Sequence, residues 1–386
     1  MSNANDNNKN NGNDNSRDSY PEFLNFLKTV DSEFLSEQRF VSEADDIAEG
    51  QHMLLHLIKA GIDVWVDNDT SRPRFAPLAT NVLKWGGEGP DNPSFCAPLS
   101  NKHRYKVSGR MNNEVYISFT VYTGKAEGDW NDGVVCALNH TEFERDADGY
   151  FEFFIETTAT QGALHTEADK PCCIIARHYF EENTTALAIA DLRCEIEIEC
   201  LNEPGYPRPI KPASLSEKLT AAENFIRGQT LDRPMPGAAA PPSWFSTTPN
   251  VLPKPERWVP TEGGGAGAID NAYCAGLVIL QPDEALIVTS RWPECVYGNV
   301  CYWNRYQQST DYRYRNGSLN RKQMQLNKDG SFTFVVAHEN PGINNWIDTE
   351  GHMMGNLYWR FLMSTGDLVQ PECQLVKFSD LEKSLG

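Results

Sequence analysis

Basic charge is scarce in this chain. Its 34 Lys and Arg face 53 Asp and Glu, a formal net charge of −19, which excludes the broad basic face that nucleic acid or an anionic membrane surface requires. No apolar run approaches the roughly 18 residues of a membrane-spanning helix, so no membrane partner is expected. The opening MSNANDNNKNNGNDNSRDS lacks the apolar core of a secretory signal and reads as a disordered Asn/Asp-rich tail over residues 1–19. A cytoplasmic location with reduced thiols is the expectation. None of the ten cysteines forms a CxxC pair, and Cys172 and Cys173 are adjacent, a poor geometry for a bridge. They read as small buried hydrophobes. The chain also lacks a GxSxG elbow. EGGGAGA, from Glu262 to Ala268, has neither the Lys-Ser/Thr of a phosphate-binding loop nor a GxGxxG pattern and reads as a flexible loop. No cofactor and no metal are expected.

What is present supports more than one core, since 386 residues carry 40% hydrophobic and 11% aromatic side chains. Residues 20–71 hold two helices. Ser19 and Pro21 open the first, with Phe23, Phe26, Leu27, Val30 and Phe34 on one face. Ser42 and Asp45 resemble a capping box for the second, and Ile47, Gln51, Leu54, Leu55, Ile58 and Ile62 follow one side. His52 and His56, four apart, read as helix-surface or packing histidines because no third ligand accompanies them.

Alternating patterns begin near Tyr105. YKVSGR-MNN-EVYISFTVY predicts a hairpin, and FERDADGYFEFFIE another with a DG turn. Residues 202–267 hold about half of the chain's 23 prolines and read as a connection with one helix, from Ser214 to about Arg227, capped through Glu217 and stopped by Gly228. Strands resume near Ala272.

Displacing the chain by 181 positions superimposes Arg110 on Arg291 and Gly149 on Gly330 without a gap. KVSGRMNNEVYISFTVY then overlays IVTSRWPECVYGNVCYW, and DGYFEFF overlays DGSFTFV. A small shift brings IIARHYF onto LYWRFLM and Arg177 onto Arg360. The expected fold is therefore mainly β: two related antiparallel sandwich or jelly-roll modules, residues 72–201 and 268–386, with the helices and the proline-rich connection over their edges.

The stretch NVCYWNRYQQSTDYRYRNGSLNR, from Asn299 to Arg321, gathers four arginines, five aromatics and one acidic residue in an acidic protein. Arg305, Arg313, Arg315 and Arg321 fall opposite Gly124, Asp132, Val134 and His140 of the first module, so the shared scaffold does not require them. In an extended conformation Asp311, Arg313 and Arg315 share one face, with Tyr312 and Tyr314 on the other. Asp311 would then orient Arg313 as a bidentate partner, and Asn316–Gly317 would form a turn presenting Ser318 and Asn320. Two readings stand: ordinary surface ion pairs, or a ligand-binding wall. Downstream, HENPGINNWIDTEGH collects His338, Glu339, Asn345, Trp346, Asp348, Glu350 and His352 in a long loop, followed by Arg360 on a strand. Trp346 is either a stacking platform or a loop anchor. The turn at Asp91–Asn92 either faces the second module or is only a turn.

CYWNRYQQSTDYRYRNGSLNR, NPGINNWIDTEGH, LYWRF and the earlier GPDNP resemble the bacterial family known as domain of unknown function 1214. The resemblance is closest over the last 110 or so residues. It falls on Asn304, Arg305, Asp311, Tyr312, Arg313, Ser318, Leu319, Asn320, Arg321, Asn345, Trp346, Gly351 and His352. It implies an all-β domain of sandwich or jelly-roll type and no agreed activity; a fold of this kind does not fix a function.

The expected function is an enzyme of hydrolase or lyase type acting on a small polar or anionic substrate, such as a sugar or carboxylated metabolite. Its alternative is a non-catalytic carbohydrate or ligand binder using the same surface. The expected catalytic residues are His352, Asp348 and Asp311. Substrate would be held by Asn304, Arg305, Tyr312, Arg313, Arg315, Ser318, Asn320, Trp346 and Arg360, with Tyr302 or Trp303 as a further stacking ring. A homo-oligomer is compatible with this reading.

Overall fold

The computed structural model describes residues 18–202, 205–207, 209–259 and 267–385; most of the expected tail and of the glycine-rich stretch lie outside these. Helix α1 (Ser19–Phe34) buries Phe23, Phe26 and Val30, as its spacing predicts. Helix α2 (Ala44–Gly61) takes Glu43 at its N-cap. The expected Ser42–Asp45 box is not formed, since the Ser42 hydroxyl lies 3.4 Å from Glu43 Oε1. Its buried face is Gly50, Met53, Leu54 and Leu57, turned from the expected one, so Leu55 is left exposed. The packing explains the shift: a Cβ on Gly50 would stand 2.3 Å from the Leu35 side chain and 2.8 Å from the Tyr306 ring. Helix α3 (Pro212–Gln229) starts two residues before Ser214, because Pro212 has the fixed φ that suits a first turn. The Ser214 hydroxyl accepts from Lys211 N at 3.1 Å, and Gly228 sits inside the last turn.

The first β-unit contains β1 (Ala76–Ala79), β2 (Ser94–Leu99), β3 (Tyr105–Arg110), β4 (Tyr116–Thr123), β5 (Gly133–Asn139), β6 (Tyr150–Glu156), β7 (Leu164–His165), β8 (Cys172–Tyr179) and β9 (Glu195–Cys200). Short β10 (Phe245–Ser246) and β11 (Glu256–Arg257) lead to the second unit. That unit has β12 (Asn271–Ile279), β13 (Glu284–Ser290), β14 (Tyr297–Trp303), β15 (Ser318–Asn320), β16 (Phe332–Ala337), β17 (Trp346–Asp348), β18 (Met354–Leu362) and β19 (Glu372–Lys377), before α4 (Leu381–Leu385). The sheets run β1-β2-β8-β4-β5 and β7-β6-β3-β9 in the first unit, then β10-β12-β18-β14-β15 and β17-β16-β13-β19 in the second. Apart from the added edge strands, each strand of the first unit has its counterpart ten numbers later. Registers agree as well: Ser118 lies opposite Arg177, and Asn299 opposite Arg360.

The chain is mainly β, but two local expectations fail. β3 and β4 do not form a hairpin; they belong to different sheets, and the MNN segment crosses between them. FERDADGYFEFFIE contributes only β6, because Phe143 leaves the sheet plane to pack on Phe151 and Phe153. The pairing is not wholly antiparallel either, since β7, β10 and β17 pair in parallel.

Each unit is a two-sheet sandwich. Ile117, Phe119 and Val121 of β4 meet Val107, Phe151 and Ile155 from the facing sheet. Val300, Trp359 and Phe361 meet Leu286, Phe332 and Phe334 in the second unit. Every residue of β4 and β8 is buried, so their outer faces are covered too. The helices cover part of that face, with Tyr122, Cys173 and Ile175 packing among Leu57, Trp65 and Phe225. The two units meet through Tyr116, Tyr179, Tyr297 and Leu362. β9 is instead an edge with Glu195 and Glu199 exposed, a charge pattern that resists edge-to-edge pairing. No helix among the described residues is long and apolar enough to cross a membrane.

Candidate functional site

Between the two units, and roofed by α3, lies a cleft of about 1690 Å³. Five of the chain's nine tryptophans line it: Trp85, Trp130, Trp244, Trp258 and Trp303. Tyr179, Tyr273 and Tyr358 join them. The rings are held by one another: Trp85 and Trp130 meet Phe225 of α3 edge-on at 5.2 and 5.3 Å, and Trp303 lies 4.2 Å from Tyr358. Lys125, Lys170, Arg177, Arg227, Arg233, Arg257 and Arg360 line the cleft against Glu88, Asp129, Asp132, Asp232 and Glu256. Seven cations face five acids in a protein of charge −19, so the cleft is locally suited to an anion.

Arg177 and Arg360 occupy matching strand positions and are 7% and 5% exposed. Arg177 stands 5.6 Å over the Tyr122 ring and donates to its hydroxyl at 3.0 Å. Arg360 stands 5.1 Å from the Trp303 ring and 4.9 Å from that of Tyr358, and donates from Nη2 to Gly87 O at 2.6 Å. Its Nη1 has no hydrogen-bond partner among the described residues. Gly87 is needed there: its φ is +82°, and a Cβ would stand 2.7 Å from Trp303. The adjacent Glu88 is 4% exposed. Its Oε1 accepts from Ser309 N at 2.9 Å and from the Ser309 hydroxyl, while Oε2 has no partner among the described residues. Burial raises its pKa against the opposing pull of Lys84 and Ser309.

The residues singled out in the sequence have a different setting, with Arg360 and Trp303 the exceptions. Residues 311–315 are not extended: Tyr314 N and Arg315 N both bond to Asp311 O at 2.9 Å, closing a turn. Tyr312 is therefore buried beneath Lys84 Nζ, 4.1 Å from its ring centre, while Tyr314 is 83% exposed. Asp311 does hold Arg313 in a bidentate pair, with Nε to Oδ1 at 2.9 Å and Nη2 to Oδ2 at 2.8 Å, out in solvent. Arg315 faces the downstream loop and pairs with Asp348 and Glu350, both at 3.1 Å. Arg305 reaches back to Asp46 of α2 and to Phe40 O. Arg321 is bonded to Glu181 at 2.7 Å from both Nε and Nη2. Each of these four guanidinium groups is taken by a carboxylate of the chain itself.

Asn304 closes its own turn, accepting from Tyr306 N and Gln308 N, and donates to Glu49 Oε2 at 3.2 Å. His352 is bonded to Glu49 and to Thr349 O. Burial opposes its charge, but those two bonds outweigh it and leave the pKa above the ordinary 6.5. The expected long loop is interrupted by β17, which Trp346 opens, donating to Ala337 O at 3.4 Å. Asn345 ties Gln325 O at 2.7 Å and Thr333 O at 2.9 Å. Ser318 is buried, and Asn320 donates to Glu182 O at 3.0 Å and Asp91 Oδ2 at 3.3 Å. The Asp91 turn faces the second unit, taking a bond from the Tyr297 hydroxyl at 3.0 Å. His52 and His56 lie with Nε2 atoms 3.3 Å apart, and His56 Nδ1 accepts from Lys84 N at 2.7 Å.

The cleft residues overlooked in the sequence are Arg177, Glu88, Trp85, Trp130 and Trp244. The sequence carries a signal for the first, because Arg177 aligns with Arg360 and Tyr122 with Trp303.

Residues 297–365 match the family described as "Protein of unknown function (DUF1214)". No protein of curated function matches the sequence. A crystal structure of an uncharacterized protein from Burkholderia cenocepacia is similar at 24% identity and a TM-score of 0.79, over 94% of this chain and 98% of that one. It shares the fold along nearly the whole length. A Vibrio parahaemolyticus protein is similar at 13% identity with a TM-score of 0.45, over 86% of this chain and 99% of its own.

Proposed function

We propose that this chain, which carries a DUF1214 domain over residues 297–365, binds a ring-containing anionic ligand in the cleft between its β-units. An acidic sugar or a carboxylated metabolite is the class that fits. The observation that carries this reading is Arg360: a buried guanidinium, stacked on Trp303 and Tyr358, with Nη1 lacking a hydrogen-bond partner among the described residues. Buried donors are ordinarily satisfied, and a carboxylate would complete this one with a charge-assisted bond of about 1.5–3 kcal/mol. The aromatic walls supply faces for the apolar side of a sugar or other ring.

Glu88 favours a catalytic version of the same site. A carboxyl whose pKa burial raises, with one oxygen lacking a partner among the described residues, has the character of a general acid for hydrolase or lyase chemistry. A thermal-melting screen of carboxylated sugars, small carboxylates and their neutral counterparts tests the binding reading. Stabilisation by the anionic compounds alone, lost in Arg360→Ala, is expected; equal response to neutral compounds would rule it out. With a hit in hand, Glu88→Gln should abolish turnover while keeping affinity if the site is catalytic.

A further inference from the structure

We propose that Glu114, His178 and Cys194 form a zinc site in the first β-unit, separate from the cleft. Three segments bring the donors together: Glu114 from the crossing between β3 and β4, His178 from β8, and Cys194 from the residue preceding β9. One donor atom from each lies within 4.8 Å of the others. His178 Nδ1 is 2.9 Å from Glu114 Oε1, and neither side chain touches solvent. Among the described residues no Lys or Arg pairs with Glu114, whose other oxygen accepts from Asn112 N at 2.7 Å. A carboxylate buried without a cation is costly, and a divalent ion supplies the missing charge. His178 Nε2 is likewise buried without a partner among the described residues.

The donor chemistry selects the ion. Thiolate, imidazole and carboxylate together suit zinc, whereas calcium and magnesium prefer oxygen alone. Tetrahedral zinc with bonds of about 2.0–2.3 Å places its donors roughly 3.3–3.7 Å apart, so separations of up to 4.8 Å close by at most about 1.5 Å. The Asn112 bond and the Phe95 ring, edge-on to His178 at 5.7 Å, orient the first two ligands. Binding releases the Cys194 proton to solvent, and the neutral imidazole and the carboxylate each donate a lone pair. The scaffold does not demand these donors. At the corresponding places before β14 and on β18, the second unit has Cys295 and Phe361.

The test uses the full chain, stripped with a chelator and then given zinc or cobalt chloride. One zinc per chain should survive gel filtration and raise the melting temperature. Cobalt should give a thiolate charge-transfer band that Cys194→Ser abolishes, with zinc affinity reduced at least 100-fold in that variant and in His178→Gln. His52→Ala/His56→Ala should bind as the wild type does. If His178→Gln fails to fold, Cys194→Ser and the cobalt band decide the matter. The proposal is overturned by a wild type that retains no zinc, by a Cys194→Ser variant that retains all of it, or by loss of zinc on removing His52 and His56.

Discussion

A guanidinium that is 5% exposed has to be stacked, bonded or paired, and Arg360 is stacked on two rings and bonded once. What it leaves over, Nη1, is the donor on which ligand affinity should depend. Replacing it with Ala is expected to weaken an anionic ligand about 10–100-fold, the equivalent of one charge-assisted hydrogen bond. Calorimetric titration of the variant measures this. Asp91 offers a separate check on the contact between units. Burial raises its pKa to about 6, although Ala186 N, Asn320 and Tyr297 all bond to it. The folded protein thus holds a proton that the unfolded chain releases near its ordinary 3.8. That contribution is fully present below this value and is lost as pH rises towards 6, on the order of 3 kcal/mol in all. Denaturant unfolding should show the wild type losing stability relative to Asp91→Asn between about pH 4 and 6. A difference that stays constant across this range would contradict the buried acid.

At the scale of elements, residues 304–321 are a clasp. Arg305 grips α2 through Asp46, Arg321 grips the first unit through Glu181, and Arg315 closes on Asp348 at the end of β17. Arg305→Ala should therefore cost about 1–3 kcal/mol of stability, measured by denaturant unfolding, with ligand affinity unchanged. Arg313→Ala, which breaks an exposed pair with Asp311, should change stability by under about 0.5 kcal/mol. Much of this element was legible. The β14 strand and the Asp311–Arg313 pair follow from residue type and spacing, whereas the pairing of Arg315 with Asp348 appears only in the fold. The turn at 311–315 was not, because alternating Tyr and Arg satisfy a strand and a turn equally until Lys84 covers Tyr312. The β3–β4 crossing was hidden for a related reason. A short polar link looks the same whether it joins two paired strands or carries the chain from one sheet to the other.

Across the whole molecule, the strand order of the first unit recurs in the second. The 181-residue displacement placed Tyr122 on Trp303, and a further small shift placed Arg177 on Arg360, two arginines that line the cleft. The cleft itself was not legible, since Trp85, Trp130 and Trp244 come from loops whose meeting point is set by how the units and α3 pack. An acidic chain has thus concentrated five tryptophans and a surplus of two positive charges in one place. Because so many indoles line that place, intrinsic tryptophan fluorescence reports its occupation directly. The decisive measurement is a fluorescence titration of wild type, Arg360→Ala and Arg313→Ala with short oligogalacturonides, set against neutral cello-oligosaccharides. A saturable change with the acidic sugars alone, weakened at least tenfold in Arg360→Ala and untouched in Arg313→Ala, is the predicted result. A response that survives in Arg360→Ala but vanishes in Arg313→Ala would contradict it and return the site to the outer wall.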